Sequence, residues 1–214
     1  MKSKLFTAAL AALMLSSCTP KENGYFDNLP QEANPIEIGN KITNRFLEQG
    51  HSQYGSPLRV NEPRTQITYP DVCTWLGGLW FAQETDNKEL TERLKARFEP
   101  LFTNEAYLQP KPNHVDNNVF GAVPLELYLQ TGEERYKTLG MMYADSQWEL
   151  PANWKLKEGE ERQSSMYGDF KDADICQPEQ KEWADKGYSW QTRFWLDDMY
   201  MITTIQAQAY RVTS

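Results

Sequence analysis

Hydrophobic positions fall along this chain in two alternating kinds of segment. Residues 72–82, 119–129 and 194–210 are apolar on almost every side, whereas 88–102 and 133–149 are half charged and carry a single apolar stripe. A helix that is apolar all round has to be buried, and one with a single stripe covers another helix from outside. In the first striped segment Leu90, Leu94, Phe98, Leu101 and Phe102 make the stripe, and Lys88, Glu92, Arg93 and Lys95 lie away from it in solvent. The spacing of Ile38, Ile42 and Phe46 predicts a preceding amphipathic helix over 35–49. Residues 50–69 and 104–118 read as loops, and Pro124 should kink the segment it interrupts. The polar stretch 151–177 has the length of a functional or mobile loop.

The alternation predicts an all-α fold in two layers, the pattern of an α/α barrel. About three inner helices, beginning near Asp71, Asp116 and Asp197, and two outer ones are expected, with a third outer helix to follow Ser214. An internal repeat supports this. Tyr128-Leu129-Gln130-Thr131-Gly132 closes one inner segment as Tyr210-Arg211-Val212-Thr213-Ser214 closes another. Gly132 is a natural helix C-cap, and Glu133-Glu134 then offers acidic residues to the start of an outer helix. Sliding one copy on the other without gaps pairs Asp116 with Asp198.

Residues 1–18 stand apart from the fold. Lys2 and Lys4 precede an apolar run too short to span a bilayer, and Leu15-Ser16-Ser17-Cys18 resembles a bacterial lipobox, whose cysteine becomes the lipidated N-terminus. Residues 19–35 read as a flexible tether, and 36–214 as the folded domain. The expected location is therefore a membrane surface, periplasmic or outer-membrane, reached through a lipid on Cys18. A net charge of −8 argues against nucleic acid. With only His51 and His114, no metal site is expected and no cofactor is implied. Cys73 and Cys176 remain, in a compartment that permits a disulfide, though burial as free thiols reads better for Cys73 within an inner helix. Seven Trp, eleven Tyr and nine Phe suit either a large core or a cleft that stacks on sugar rings.

Two acidic sites stand out by position, Asp116 in His114-Val115-Asp116-Asn117-Asn118 and the pair in Trp195-Leu196-Asp197-Asp198-Met199-Tyr200-Met201. Each aspartate has two readings. It caps a helix, worth about 0.5–2 kcal/mol, or it sits among apolar neighbours where a carboxyl tends to hold its proton and serve as an acid. Like ends of inner helices converge, so carboxylates far apart in sequence can share one cleft.

These motifs, with Tyr69-Pro70-Asp71-Val72-Cys73-Thr74-Trp75 before them, resemble glycoside hydrolase family 105, the unsaturated rhamnogalacturonyl hydrolases related to the unsaturated glucuronyl hydrolases of family 88. The resemblance covers the N-terminal part of that family's domain. It implies an (α/α)6 barrel and removal of a 4,5-unsaturated uronic acid from the non-reducing end of lyase-made pectic oligosaccharides. The family's Trp-x-Asp pattern maps the catalytic acid onto Asp197, one residue from the Asp198 that the repeat singles out. By the same resemblance Asp116 assists at the reacting centre, His114 donates a hydrogen bond, and Trp75 and Trp195 stack on sugar rings, where core packing is the other reading. The family's Arg-Gly-x-Gly-Trp motif is missing, so little hydrolase activity is expected of these 214 residues alone. The competing expectation is a non-catalytic carbohydrate-binding lipoprotein, or an inert fragment.

Overall fold

The computed structural model describes residues 29–51, 65–150, 155–156, 175–176, 178–191 and 195–214. The signal segment, Cys18 and most of the expected tether lie outside these residues. By contacts the chain divides at Asn40, with the larger unit running from Lys41 to Ser214. The smaller unit holds a 3-10 turn, Gln31–Ala33, and the first residues of helix α1, Pro35–Glu48. Helix α1 spans the segment expected to be helical, 35–49, ending one residue earlier. Asn34 Oδ1 accepts the Ile36 amide at 2.9 Å, and a proline at the first helical position costs no hydrogen bond.

Among the described residues the regular structure is helical apart from a two-residue parallel ladder, β1 (Lys155–Leu156) with β2 (Ile175–Cys176). After α1 come α2 (Tyr69–Glu84), α3 (Lys88–Phe98), α4 (Val115–Asn118), α5 (Ala122–Thr131), α6 (Glu134–Asp145), α7 (Pro178–Asp185) and α8 (Leu196–Thr213). Helices α2, α5 and α8 pack side by side, α3 covers α2, and α6 covers α5 and touches α8. The all-α expectation is met. No helix among the described residues is long and apolar enough to cross a membrane.

The expected stripe of α3 is buried as read, Leu90, Leu94 and Phe98 in the helix and Leu101 in the 3-10 turn Glu99–Phe102 that extends it. Helix α1 corrects its own reading. Phe46 is buried as expected, but Ile38 and Ile42 are exposed, and Thr43 joins Phe46 on the face turned inward. The Arg97 guanidinium lies 4.1 Å above the Phe46 ring, and Phe46 meets Trp75 edge-on, so aromatic contact chose the face.

Pro124 acts upstream of itself. A proline clashes with the carbonyl four residues before it, here Phe120, and the chain answers with a 3-10 turn, Val119–Gly121, between α4 and α5. That turn lets α6 come very close. A Cβ on Gly121 would lie 2.5 Å from Tyr143 Cβ, and one on Gly140 would lie 2.4 Å from Leu125 Cγ. At its other end α5 stops on Gly132 in the left-handed region, φ 74°, whose amide donates to Tyr128 O at 2.7 Å.

Candidate functional site

Three contacts fix how α2, α5 and α8 run. At one end Gln66, just before α2, donates to Asn117 Oδ1 at 2.9 Å. Further along, Trp80 Nε1 donates to Glu126 Oε2 at 3.0 Å, and Gln208 Nε2 to the same oxygen at 2.6 Å. The sequence numbers rise together from α2 to α5, and along α8 Ile205 meets Gly121 before Gln208 meets Glu126, so the three helices are parallel and their N-terminal ends share one end of the unit. Helix α4, which carries Asp116, packs against α8, which opens with Asp197 and Asp198. The two acidic sites are therefore neighbours.

Each aspartate at these helix starts is held differently. Asp71 closes a capping box, its Oδ2 accepting from Thr68 N and Thr68 Oγ1, both at 2.9 Å. At α4 the capping residue is His114, whose Nδ1 accepts the Asp116 amide at 3.2 Å. An accepting Nδ1 leaves the ring hydrogen on Nε2, and that atom is buried, so the hydrogen bond to a sugar expected of His114 has no open path here. Asp116 is partly exposed in the first turn, its Oδ1 3.6 Å from His114 Nδ1. Asp197 and Asp198 also lie in a first turn, where the helix dipole favours negative charge, but Trp195 holds the capping position and makes no side-chain cap bond.

Asp197 and Asp198 separate cleanly by face. Asp198 is 0% exposed and heads the stripe that continues through Met201, Ile205 and Val212 into the core. Asp197 is exposed, and at helical spacing it lines up with Thr204 and Arg211, which border an open pocket. The apolar enclosure expected around it is not there, because Trp195, Met199 and Tyr200 are all exposed.

Trp75 corrects its assignment outright. It is 0% exposed, packed between Phe46, His51 and Phe98, and its Nε1 donates to Leu94 O at 3.1 Å. It fills the space between α2 and α3 and offers no ring to a sugar. Trp195, about half exposed, remains accessible. Cys73 corrects another expectation. It is an exposed free thiol, its Sγ 4.0 Å from Tyr200 Oη, because it sits on the face of α2 away from α3. The side chain of Cys176 lies outside the described residues.

A cluster that the motif reading missed lies on the same open face. Glu126 on α5 is wholly buried and receives Trp80 from α2, Gln130 from α5, and Gln208 and Arg211 from α8. Burial pushes the Glu126 carboxyl up, but the bonds from Gln130, Gln208, Trp80 and Arg211 together outweigh it and hold the group below the ordinary glutamate range. Two signals could have found it. Glu126 is the one charge in an otherwise apolar segment, and the register that aligns Tyr128 with Tyr210 aligns Glu126 with Gln208. These equivalent positions, 82 residues apart, bond each other directly. Above the cluster a pocket of about 330 Å³ is lined by Trp80, Thr203, Thr204, Ala207, Gln208 and Arg211.

Among the described residues no group of three or more His, Cys, Asp or Glu side chains could hold a metal ion. No protein-family model, curated protein or solved structure matches the chain.

Proposed function

We propose that helices α2, α5 and α8, covered by α3 and α6, are inner and outer members of an (α/α)6 barrel, and that the protein is a lipid-anchored glycosidase of the unsaturated uronyl hydrolase type. The proposed substrate is an oligosaccharide with a 4,5-unsaturated uronic acid at its non-reducing end. The observation that carries this reading is the division of labour at the start of α8. Asp198 is buried in the core stripe, while Asp197 is exposed and in line along α8 with the pocket, on a helix that packs against the turn bearing His114 and Asp116. An acid that must reach a sugar has to be the accessible one, and that is also the residue the Trp-x-Asp resemblance selects.

In this reading the Asp197 carboxyl protonates C4 of the enol ether, and positive charge develops at C5 and the ring oxygen. The resulting carboxylate then takes a proton from water as the water oxygen bonds to C5. The hemiketal so formed opens and releases the remaining sugar, so one group serves as acid and then base. Asp116 orients the sugar or the water, with His114 capping the turn that carries it, and the exposed Trp195 ring packs on a pyranose face.

The test follows the ultraviolet absorbance of the substrate's double bond with unsaturated glucuronyl and galacturonyl disaccharides. In a chain that completes the barrel the double bond should be lost, and Asp197→Asn should slow its loss by about 10²–10⁴-fold, while these 214 residues alone should show little turnover. Asp198→Asn should act through stability, lowering the unfolding midpoint more than the rate per folded molecule. Full activity in Asp197→Asn would transfer the role to Asp198 or Asp116. Saturable binding of the disaccharides without any loss of absorbance would favour a carbohydrate-binding protein over a hydrolase.

A further inference from the structure

Two of the three parallel helices carry another helix along one row of residues, and the equivalent row of the third is uncovered. On α2, Trp75 meets Phe98, Gly78 meets Leu94, and Ala82 O accepts the Asn87 amide at 2.8 Å, so α3 runs antiparallel along it. On α5 and the turn before it, Gly121 meets Tyr143, Leu125 meets Gly140, and Lys137 Nζ lies 5.1 Å from the Tyr128 ring centre. The numbers again fall on the covering helix as they rise on the covered one. The register that aligns Tyr128 with Tyr210 carries Gly121 and Leu125 onto Thr203 and Ala207. All three of these α8 residues are exposed. The repeat thus marks them as a row suited to an antiparallel helix.

On α8 the row extends toward the N-terminus. Leu196, Tyr200, Thr203, Ala207 and Tyr210 follow one another at steps of four, three, four and three residues, and every one is exposed. That spacing keeps one seam turned toward a partner helix along its whole length. Asp197 and Arg211 each directly follow a seam residue, so they share a flank and stand near opposite ends of the helix. When two copies of such a helix pair antiparallel, like flanks meet and opposite ends come together. Asp197 of one helix then faces Arg211 of the other. The Arg211 side chain is 45% exposed and uses Nη1 on Glu126 and Gln208, which leaves other N–H donors of its fork for a carboxylate. The same register sets Tyr200 against Tyr210 and Thr203 against Ala207. Bulky rings meet toward the ends, and small side chains let the helices approach in the middle.

We infer that a second copy of this chain covers the row, α8 against α8 about a two-fold axis near Ile205, with Asp197 of each copy paired to Arg211 of the other. An isologous contact of this kind is self-complementary and closes at two copies. The inference does not draw on the hydrolase reading. It engages Asp197 in the contact, which agrees with the little turnover expected of these 214 residues alone.

The experiment measures sedimentation equilibrium of the full chain over a range of concentrations, with circular dichroism to show that each variant keeps its helices. A monomer–dimer equilibrium is expected, weakened by added salt. Ala207→Glu, in the middle of the row, should weaken the dimer at least tenfold. Met142→Glu, at an exposed apolar position on α6, adds the same charge away from the row and should leave the dimer unchanged. Asp197→Lys should weaken it at least fivefold by setting like charge against Arg211, and Asp197→Asn should weaken it by less. In a parallel pair Asp197 would lie beside its own counterpart, and Asp197→Asn would tighten the dimer instead. A monomer at every concentration, association beyond two copies, a folded Ala207→Glu protein that dimerises as the wild type does, equal loss in Met142→Glu, or a tighter Asp197→Asn dimer would each overturn the inference.

Discussion

Gly121 and Gly140 face each other where the turn before α5 meets α6, and neither position has room for a methyl group. Overpacking a tight site costs about 1–3 kcal/mol, and at Gly140 the displaced groups are Leu125 and the Gly121 carbonyl at 2.8 Å. Gly140→Ala should therefore lower stability by about that amount in urea unfolding, through the midpoint rather than the slope. Gly77→Ala is the internal control, because nothing lies within 4 Å of a Cβ there. It should stabilise α2 by roughly 0.5–1 kcal/mol through helix propensity. Two buried titratable groups give the molecule its pH dependence. Burial, aided by the nearby Arg97, holds the His51 ring below its ordinary value despite its 2.5 Å contact with Glu105. The stability contributed by neutral His51 is complete above about pH 6.5 and is lost as the pH falls through the lower folded value. The Glu126 carboxyl is also depressed, so its contribution is complete above about pH 4.3 and is lost as the pH falls through its folded value. Unfolding midpoints should fall in two stages on acidification. His51→Gln should flatten the first and Glu126→Gln the second, and a wild-type midpoint unchanged from neutral pH down to 5 would refute the role of His51.

Helix starts carry most of the polar logic at the scale of elements. Asp71 and Thr68 close α2, Asn87 Oδ1 accepts the Leu90 amide at 3.0 Å to open α3, and His114 opens α4. Asp71→Ala should cost about 0.5–2 kcal/mol, read as a lower unfolding midpoint in urea. The charged face of α3 is also less idle than its pattern suggests, since Lys95 Nζ pairs with Glu133 Oε1 at 2.5 Å and thereby ties α3 to the start of α6. Solvent reaches both partners of that pair, so Lys95→Ala should leave the unfolding midpoint nearly unchanged.

On the scale of the whole molecule, α8 leaves large apolar side chains uncovered. Leu196 is 90% exposed, Tyr210 72%, Trp195 49% and Tyr200 45%. Exposed apolar side chains on one helix drive association or dye binding where they join into one patch. Sedimentation velocity at rising concentration should show self-association of the 214-residue chain, and Tyr210→Lys should weaken it. A strictly monomeric species that binds no hydrophobic dye would show that the exposed rings do not form a continuous patch.

Period and punctuation were enough to read the helices from the sequence. The apolar spacing of Leu90, Leu94 and Phe98, the cap at Gly132 and the interruption before Pro124 are local properties, each decided within a turn or two of chain. Position at a helix start was legible for Asp116, Asp197 and Asp198 for the same reason. Which face each side chain takes was not. Trp75 and Trp80 share a helix and a chemistry, and only the arrival of α3 on one side and of Glu126 on the other sends the first into the core and the second to the pocket. Asp197 and Asp198 are adjacent in sequence, and a rotation of about 100° per residue parts them into an open and a buried group once α8 meets α4. Ile42 and Thr43 are parted in the same way on α1. Periodicity determines that a helix has a buried face. Its partners determine which one, because burial is a property of what packs against a side chain and not of the side chain itself.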